Sequence, residues 1–210
     1  MKNTITNIDT KEQIINVAER LFAEKGFAGT SLRNVIREAG VNIAAVHYHF
    51  GSKEELFVAV VRRAAQQILT SQFEQLEKYE KLDKPPSLEK ILEAFYGPPL
   101  RTIIQMGETG LIRAQFMGRC RAEPLPIQQL SEKEFNESHR RFLDILQRAL
   151  PDQTRTELTW KLDLAIAIII RTLNQINQPN SFINKGSSEE VEIAIARLVK
   201  FVAQGMRNYD

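Results

Sequence analysis

Leu32-Arg33-Asn34-Val35-Ile36-Arg37-Glu38-Ala39-Gly40-Val41-Asn42-Ile43-Ala44-Ala45-Val46-His47-Tyr48-His49-Phe50 reads as two short helices joined through Gly40-Val41-Asn42. Leu32, Val35, Ile36 and Ala39 fall at i, i+3, i+4 and i+7, one apolar stripe of helical period. Gly40 ends that stripe as a left-handed cap, Asn42 can cap the next helix, and Gly51 terminates it after Phe50. A helix, a glycine-bearing turn and a second short helix form the layout of helix-turn-helix DNA readers.

Turning the second helix by about 100° per residue puts Ile43, Val46 and Phe50 on one side, where they can pack against earlier helices. Ala44, Ala45 and Tyr48 fall opposite, with His47 and His49 on the flanks. Small residues allow close backbone approach and flat polar rings offer hydrogen bonds, which suits a major groove about 12 Å wide. A solvated face bearing two alanines is the other reading, and periodicity alone leaves both open. Val46, Phe50 and Leu56 are assigned to the core. Charge does not decide: residues 1–51 hold six Lys and Arg against five Asp and Glu, less than a strong non-specific grip on phosphate requires. Positioned donors offset this, with Thr30 and Ser31 at one helix start and Ser52 and Lys53 at another.

Outward from this stretch, Ser or Thr is followed three residues later by Glu or Gln at Thr10/Gln13, Ser52/Glu55, Ser131/Glu134, Thr154/Glu157 and Ser187/Glu190. Such pairs satisfy backbone donors orphaned at a helix start. The spacing predicts helices over Lys11–Lys25, stopped by Gly26, and over Ser52–Tyr79. Interruptions at Pro85-Pro86, Pro98-Pro99, Pro124/Pro126, Pro151 and Pro179 then divide the rest. The resulting segments are Ser87–Tyr96, Leu100–Met106, Thr109–Glu123, Ser131–Leu150, Thr154–Asn177 and Ser188–Asn208. No alternating strand pattern occurs, so the expected fold is all-α: a three-helix helix-turn-helix head over 1–51 and a larger helical body over 52–210.

The 210 residues are 43% hydrophobic and 26% charged with a formal net charge of +2, room for one large domain or a small and a medium one. The single cysteine, Cys120, excludes an intramolecular disulfide framework and suits a reducing compartment. The longest apolar run, Leu164 to Ile170, is seven residues, against the roughly 20 of a membrane-spanning helix. Met1 to Asp9 has no apolar signal core, so the expected location is the cytoplasm, with no membrane partner. His47 and His49 point about 200° apart on a helix and cannot share a metal, and His139 is remote in sequence. No metal and no cofactor are expected. A Gly-x-Ser-x-Gly elbow, a phosphate-binding glycine loop and a paired-histidine motif are all missing, which argues against an enzyme.

Gly26-Phe27, Thr30-Ser31-Leu32, Val35, Ala39-Gly40-Val41 and Val46-His47-Tyr48-His49-Phe50-Gly51-Ser52-Lys53-Glu54-Glu55-Leu56 resemble the N-terminal domain of TetR/AcrR-type transcriptional regulators. The resemblance covers about residues 10–58, and Tyr48-His49-Phe50 followed by Ser52-Lys53-Glu54 is its most specific part. It implies a DNA-binding head on a dimerising, ligand-binding body, and a repressor released from a palindromic operator by a small, largely apolar molecule. Carried over by position, Thr30 would touch phosphate, and Asn42, Ile43, Ala44 and His47 would face the groove or its walls. Tyr48 and His49 would reach backbone or base edges, and Lys53 would anchor phosphate. Two positions depart from the family pattern. Ile43 stands where a long polar residue is frequent and offers apolar contact only, as to a thymine methyl; His47 stands where tyrosine is common.

One such head makes few base contacts, so a homodimer reading two half-sites is expected. Thr154–Asn177 carries Leu162, Ala165, Ile166, Ile169 and Leu173, and Ser188–Asn208 carries Val191, Ile195, Leu198, Val199 and Val202. Two such helices per subunit suit a four-helix interface, with the chain's own core as the competing use. For the effector pocket the candidates are Gln115, Phe116, Arg119, Cys120, Trp160, Arg171 and Asn174, polar or amphipathic groups in apolar surroundings. A ligand there would act by moving the long Ser52–Tyr79 helix. The alternatives are a helical protein-interaction adaptor with a degenerate head, or a helical enzyme.

Overall fold

The computed structural model describes residues 3–176, 178, 181, 183 and 187–207, with their side chains from Thr10 onward. Every regular element among the described residues is helical: α1 (Asn3–Gly29), α2 (Leu32–Ala39), α3 (Ile43–Phe50), α4 (Lys53–Glu80), α5 (Leu88–Gln105), α6 (Glu108–Cys120), α7 (Leu125–Glu132), α8 (Asn136–Ala149), α9 (Arg155–Asn174) and α10 (Ser188–Met206). A single 3₁₀ turn, Lys133–Phe135, joins α7 to α8. The expected ends at Asn177 and Asn208 and the interruption at Pro179 lie outside the described residues.

Reciprocal caps form where the polar pair precedes a true start. Ser52 Oγ accepts the Glu55 N–H at 3.1 Å while a Glu55 carboxylate oxygen accepts the Ser52 N–H at 3.2 Å. Thr154 and Glu157 do the same at 3.2 and 3.3 Å, and Ser187 accepts the Glu190 N–H at 3.2 Å. Two pairs with the same spacing are not helix starts. Thr10 lies inside α1, and Gln13 instead donates from Nε2 to the Ala39 carbonyl at 2.7 Å, closing the end of α2. Ser131 is buried near the end of α7 and donates to the Gln128 carbonyl at 2.7 Å, so the helix expected over Ser131–Leu150 is split.

The expected break at Pro98-Pro99 does not occur, for α5 runs through both prolines. Pro99 has no N–H for the carbonyl four residues back, on Phe95. Gln72 supplies the missing donor: its Nε2 lies 3.2 Å from the Phe95 oxygen, and its own oxygen accepts from Ser138 Oγ at 2.8 Å. Gln72 and Ser138 are both buried, so no polar atom of this set is left to water.

Packing divides the chain into two units: residues up to Ala65 with Ile112–Glu134, and Gln66–Leu111 with residues from Phe135 onward. These packing units are not cut at 51/52, the boundary expected between head and body. The head's core continues along α4 to Ala65 and takes in most of α6 and all of α7. In the first unit, Ile14, Ala18, Leu21 and Phe22 of α1 pack with Val35, Val46, Phe50, Leu56 and Phe57, all buried. Phe57 meets Phe22, Phe27 and Phe116 edge-on or tilted at 5.3, 5.4 and 5.6 Å between centroids, pairs worth about 0.5–1.5 kcal/mol each beyond their area. The second unit is centred on Tyr96, whose hydroxyl donates to the Ala165 carbonyl at 3.1 Å, and on Phe95 set edge-on against Phe142 at 5.1 Å. Leu162, Ala165, Ile166, Ile169 and Leu173 of α9 and Val191, Ile195, Val199 and Val202 of α10 are buried within the chain.

Candidate nucleic-acid interface

The eight residues of α3 are anchored by Val46 and Phe50, one turn apart and both buried. Asn42 Oδ1 accepts the Ala44 N–H at 3.0 Å at one end, and the Gly51 N–H donates to the His47 carbonyl at 3.0 Å at the other. What remains outward is Asn42, Ile43, Ala44, His47 and Tyr48, with Tyr48 78% exposed. Ile43 corrects the expectation that it packs inward: as the first helical residue it overhangs the core and is 55% exposed. Ala45 is half-buried rather than outward.

The two imidazoles differ. His47 is exposed, and its Nδ1 lies 3.3 Å from the Gly51 carbonyl. A carbonyl only accepts, so this contact needs the proton on Nδ1 and leaves Nε2 to face an incoming group. His49 is half-buried, its ring against Tyr48 at 5.1 Å and Phe50 at 5.9 Å, and its Nε2 is shut off from solvent. A base-edge contact from His49 is therefore not offered by this geometry.

Thr30 and Lys53 are both engaged inside the head. Thr30 is buried, its hydroxyl within 3.1 Å of the Leu21 carbonyl and 2.8 Å of the Gly26 carbonyl, so a single proton is shared inside the head. Lys53 Nζ donates to the Phe27 and Thr30 carbonyls, each at 3.0 Å, and sits 4.0 Å above the Phe27 ring. Both side chains hold the turn between α1 and α2, leaving at most one ammonium N–H for phosphate. The cations that sequence reasoning passed over are Arg33 and Arg37, exposed and one turn apart on α2. Their i, i+4 spacing was the signal, hidden inside a near-zero charge count. Beside α3 lies an open cleft of about 630 Å³, lined by His47, Tyr48, His49, Glu54, Glu55 and Arg62 among others.

The seven pocket candidates are divided between the two units. Gln115, Phe116, Arg119 and Cys120 belong to the first unit, and Trp160, Arg171 and Asn174 to the second. Phe116 is part of the head's aromatic core, and Arg119 Nη1 reaches the Ala23 and Glu24 carbonyls at 3.4 and 3.2 Å. Gln115, Trp160, Arg171 and Asn174 are exposed. Cys120 is buried, and burial first, then the charge of Glu123, pushes its thiol up to about 12. None of the seven lines the cleft beside α3 or the groove of about 330 Å³ on α5 and α10. Mixed polar and apolar residues on one helix told where a side chain could be amphipathic, not which neighbour it meets. Among the described residues no helix is long and apolar enough to cross a membrane.

Comparison with known proteins agrees with this layout. Residues 14–60 match the family described as "Bacterial regulatory proteins, tetR family", and residues 93–205 match "Tetracyclin repressor-like, C-terminal domain". A stretch of 58 residues is 36% identical to the HTH-type transcriptional repressor AcnR of Corynebacterium efficiens, 28% of this chain and 31% of that protein. The chain thus spans about a third of the length of that curated relative. A transcriptional regulator of the TerR/AcrR family from Aquifex aeolicus superposes with a TM-score of 0.56 at 21% identity, covering 93% of this chain and 96% of that one. A tetR family transcription regulator structure from Shewanella superposes at 0.64 and 17% identity, covering 91% and 97%. At these identities the two structures share the fold and carry no further function. With residues 93–205, more than half the chain's length, matched and residues 14–60 matched as well, the chain belongs to the TetR family of bacterial regulatory proteins.

Proposed function

We propose that the protein is a homodimeric, ligand-responsive transcriptional repressor of the cytoplasm that reads a palindromic DNA operator with α3. The observation that carries the reading is the outward Tyr48, beside His47, Ala44, Ile43 and Asn42, on a helix fixed from behind by Val46 and Phe50. A tyrosine ring joins an apolar body to a polar tip, so an outward one can both pack against a partner and hydrogen-bond to it. Ile43 and Ala44 suit apolar contact with a thymine methyl, while Tyr48 and His47 Nε2 suit phosphate or base edges. Arg33 and Arg37 supply the phosphate-facing charge that Thr30 does not.

Dimerisation is proposed through the outward side of α9 and α10, not through the stripes first expected. Trp160 and Leu164, one turn apart on α9, and Ile193 and Phe201, two turns apart on α10, are large, apolar and exposed. Exposed apolar side chains at helical spacing support a helix-on-helix contact with a second copy. The effector is proposed to be small and largely apolar, taken up within the second unit. Its differential affinity for two head spacings would shift operator binding by about 1–3 kcal/mol. Selection of bound duplexes from a random pool tests the reading: a palindrome with half-sites about one helical turn or a multiple apart is expected, and a pool without consensus would count against it.

A further inference from the structure

We infer that Arg119 and Glu123, at the end of α6, are positioning residues for the DNA-reading head, clamping the joint between α1 and α2 in the shape that presents α3. The inference rests on the DNA-binding reading above. The joint begins at Gly26, whose φ of 71° and ψ of 178° break α1 in a region that only glycine enters without strain. Such a break orphans backbone groups on both sides of it. Residues of α6 and the turn after it take them up. A Glu123 carboxylate oxygen accepts the Phe27 N–H at 2.8 Å, and Arg119 Nη1 approaches the Ala23 and Glu24 carbonyls at 3.4 and 3.2 Å. A Cβ on Gly26 would stand 2.7 Å from the Glu123 oxygen and 2.9 Å from Arg119 Nε, so joint and clamp are fitted to each other.

Two further ties make the arrangement specific. From the other side Lys53, in the first turn of α4, takes the Phe27 and Thr30 carbonyls. Deeper in the unit the buried Glu19 of α1 accepts from Arg113 Nε of α6 at 2.9 Å and from Arg63 of α4. Apolar contacts tolerate sliding, whereas hydrogen bonds to fixed backbone atoms weaken steeply once the donor angle falls below about 120°. The hydrogen bonds from Arg119 and Glu123 therefore favour one placement of the α1–α2 joint against the end of α6.

The test uses the full chain and the duplex that the wild type selects. Glu123→Ala and Arg119→Met are expected to weaken that duplex roughly tenfold or more, the loss of a charge-assisted hydrogen bond. Affinity for non-specific duplex and the slope of binding against salt stay at wild-type values, because no phosphate contact is removed. Exchange of the Phe27 amide quickens, and Glu123→Gln, which keeps an acceptor, restores both readouts. Glu123→Asp, shorter by one methylene, gives an intermediate loss and serves if the alanine variant does not fold. Operator affinity within about twofold of wild type in the Asp or Ala variant, or a changed salt slope, would overturn the inference. If the wild type selects no duplex at all, the DNA-binding reading falls instead.

Discussion

Lys53 Nζ and the Thr30 carbonyl oxygen are 3.0 Å apart, and the same ammonium lies 3.0 Å from the Phe27 carbonyl. Two residues that family resemblance assigns to phosphate thus bind one another, across 23 positions of sequence. Their joint work is to close the α1–α2 turn, on which the placement of α2 and α3 depends. Lys53→Met is expected to destabilise the protein by about 1.5–3 kcal/mol, the range for hydrogen bonds to a charged group. Denaturant midpoints of Lys53→Met and Lys53→Arg check this. A midpoint unchanged in the methionine variant would return Lys53 to a purely DNA-facing role.

Gln72 and Pro99 act as a matched pair. Replacing Gln72 by Leu removes the donor to the Phe95 carbonyl and the acceptor of Ser138 Oγ, a loss of about 1–3 kcal/mol for buried groups left unpaired. Pro99→Ala restores an N–H to the same carbonyl, so the double variant should be more stable than the sum of the single changes. Chemical denaturation of the four proteins of the cycle measures the coupling, and strict additivity would contradict the pairing.

The dimer face makes a separate prediction. Trp160→Glu combined with Phe201→Glu places charge on the outward sides of α9 and α10 and leaves the buried stripes intact. Sedimentation at micromolar concentration should give the single-chain mass for the variant and twice that mass for the wild type. A variant that sediments as the wild type does would move the interface elsewhere.

Cys120 is expected to be unreactive in the native protein. Burial raises its thiol from 9.0 to about 12, so the folded state keeps a proton that the unfolded chain has lost above pH 9. The contribution to stability is complete below that value and declines as the pH climbs toward 12. Alkylation at pH 8 should be slow in native protein and rapid in denaturant, and rapid native labelling would contradict the burial of the thiol.

The head was largely legible from sequence because its signals are local. Gly40, Asn42, Gly51 and the Ser52/Glu55 pair mark the ends of α2, α3 and α4 within a few residues of where they act. Periodicity also found the Val46–Phe50 anchor and the outward Tyr48. What escaped depends on partners far along the chain. Nothing near Pro99 announces Gln72, nothing near Thr30 announces Lys53, and nothing near Gly26 announces Glu123. The packing of the α6 pocket candidates is a case of the same kind: residues beyond Leu111 pack in the head, a fact that helical spacing does not contain.

The most direct test is operator binding by Tyr48→Ala beside its thermal midpoint. On the duplex that the wild type selects, the substitution should cost about 1–3 kcal/mol of affinity, roughly 5- to 150-fold. The midpoint should stay near that of the wild type, because the ring is 78% exposed and carries little packing. Wild-type affinity in this variant would contradict the assignment of α3 as the reading helix.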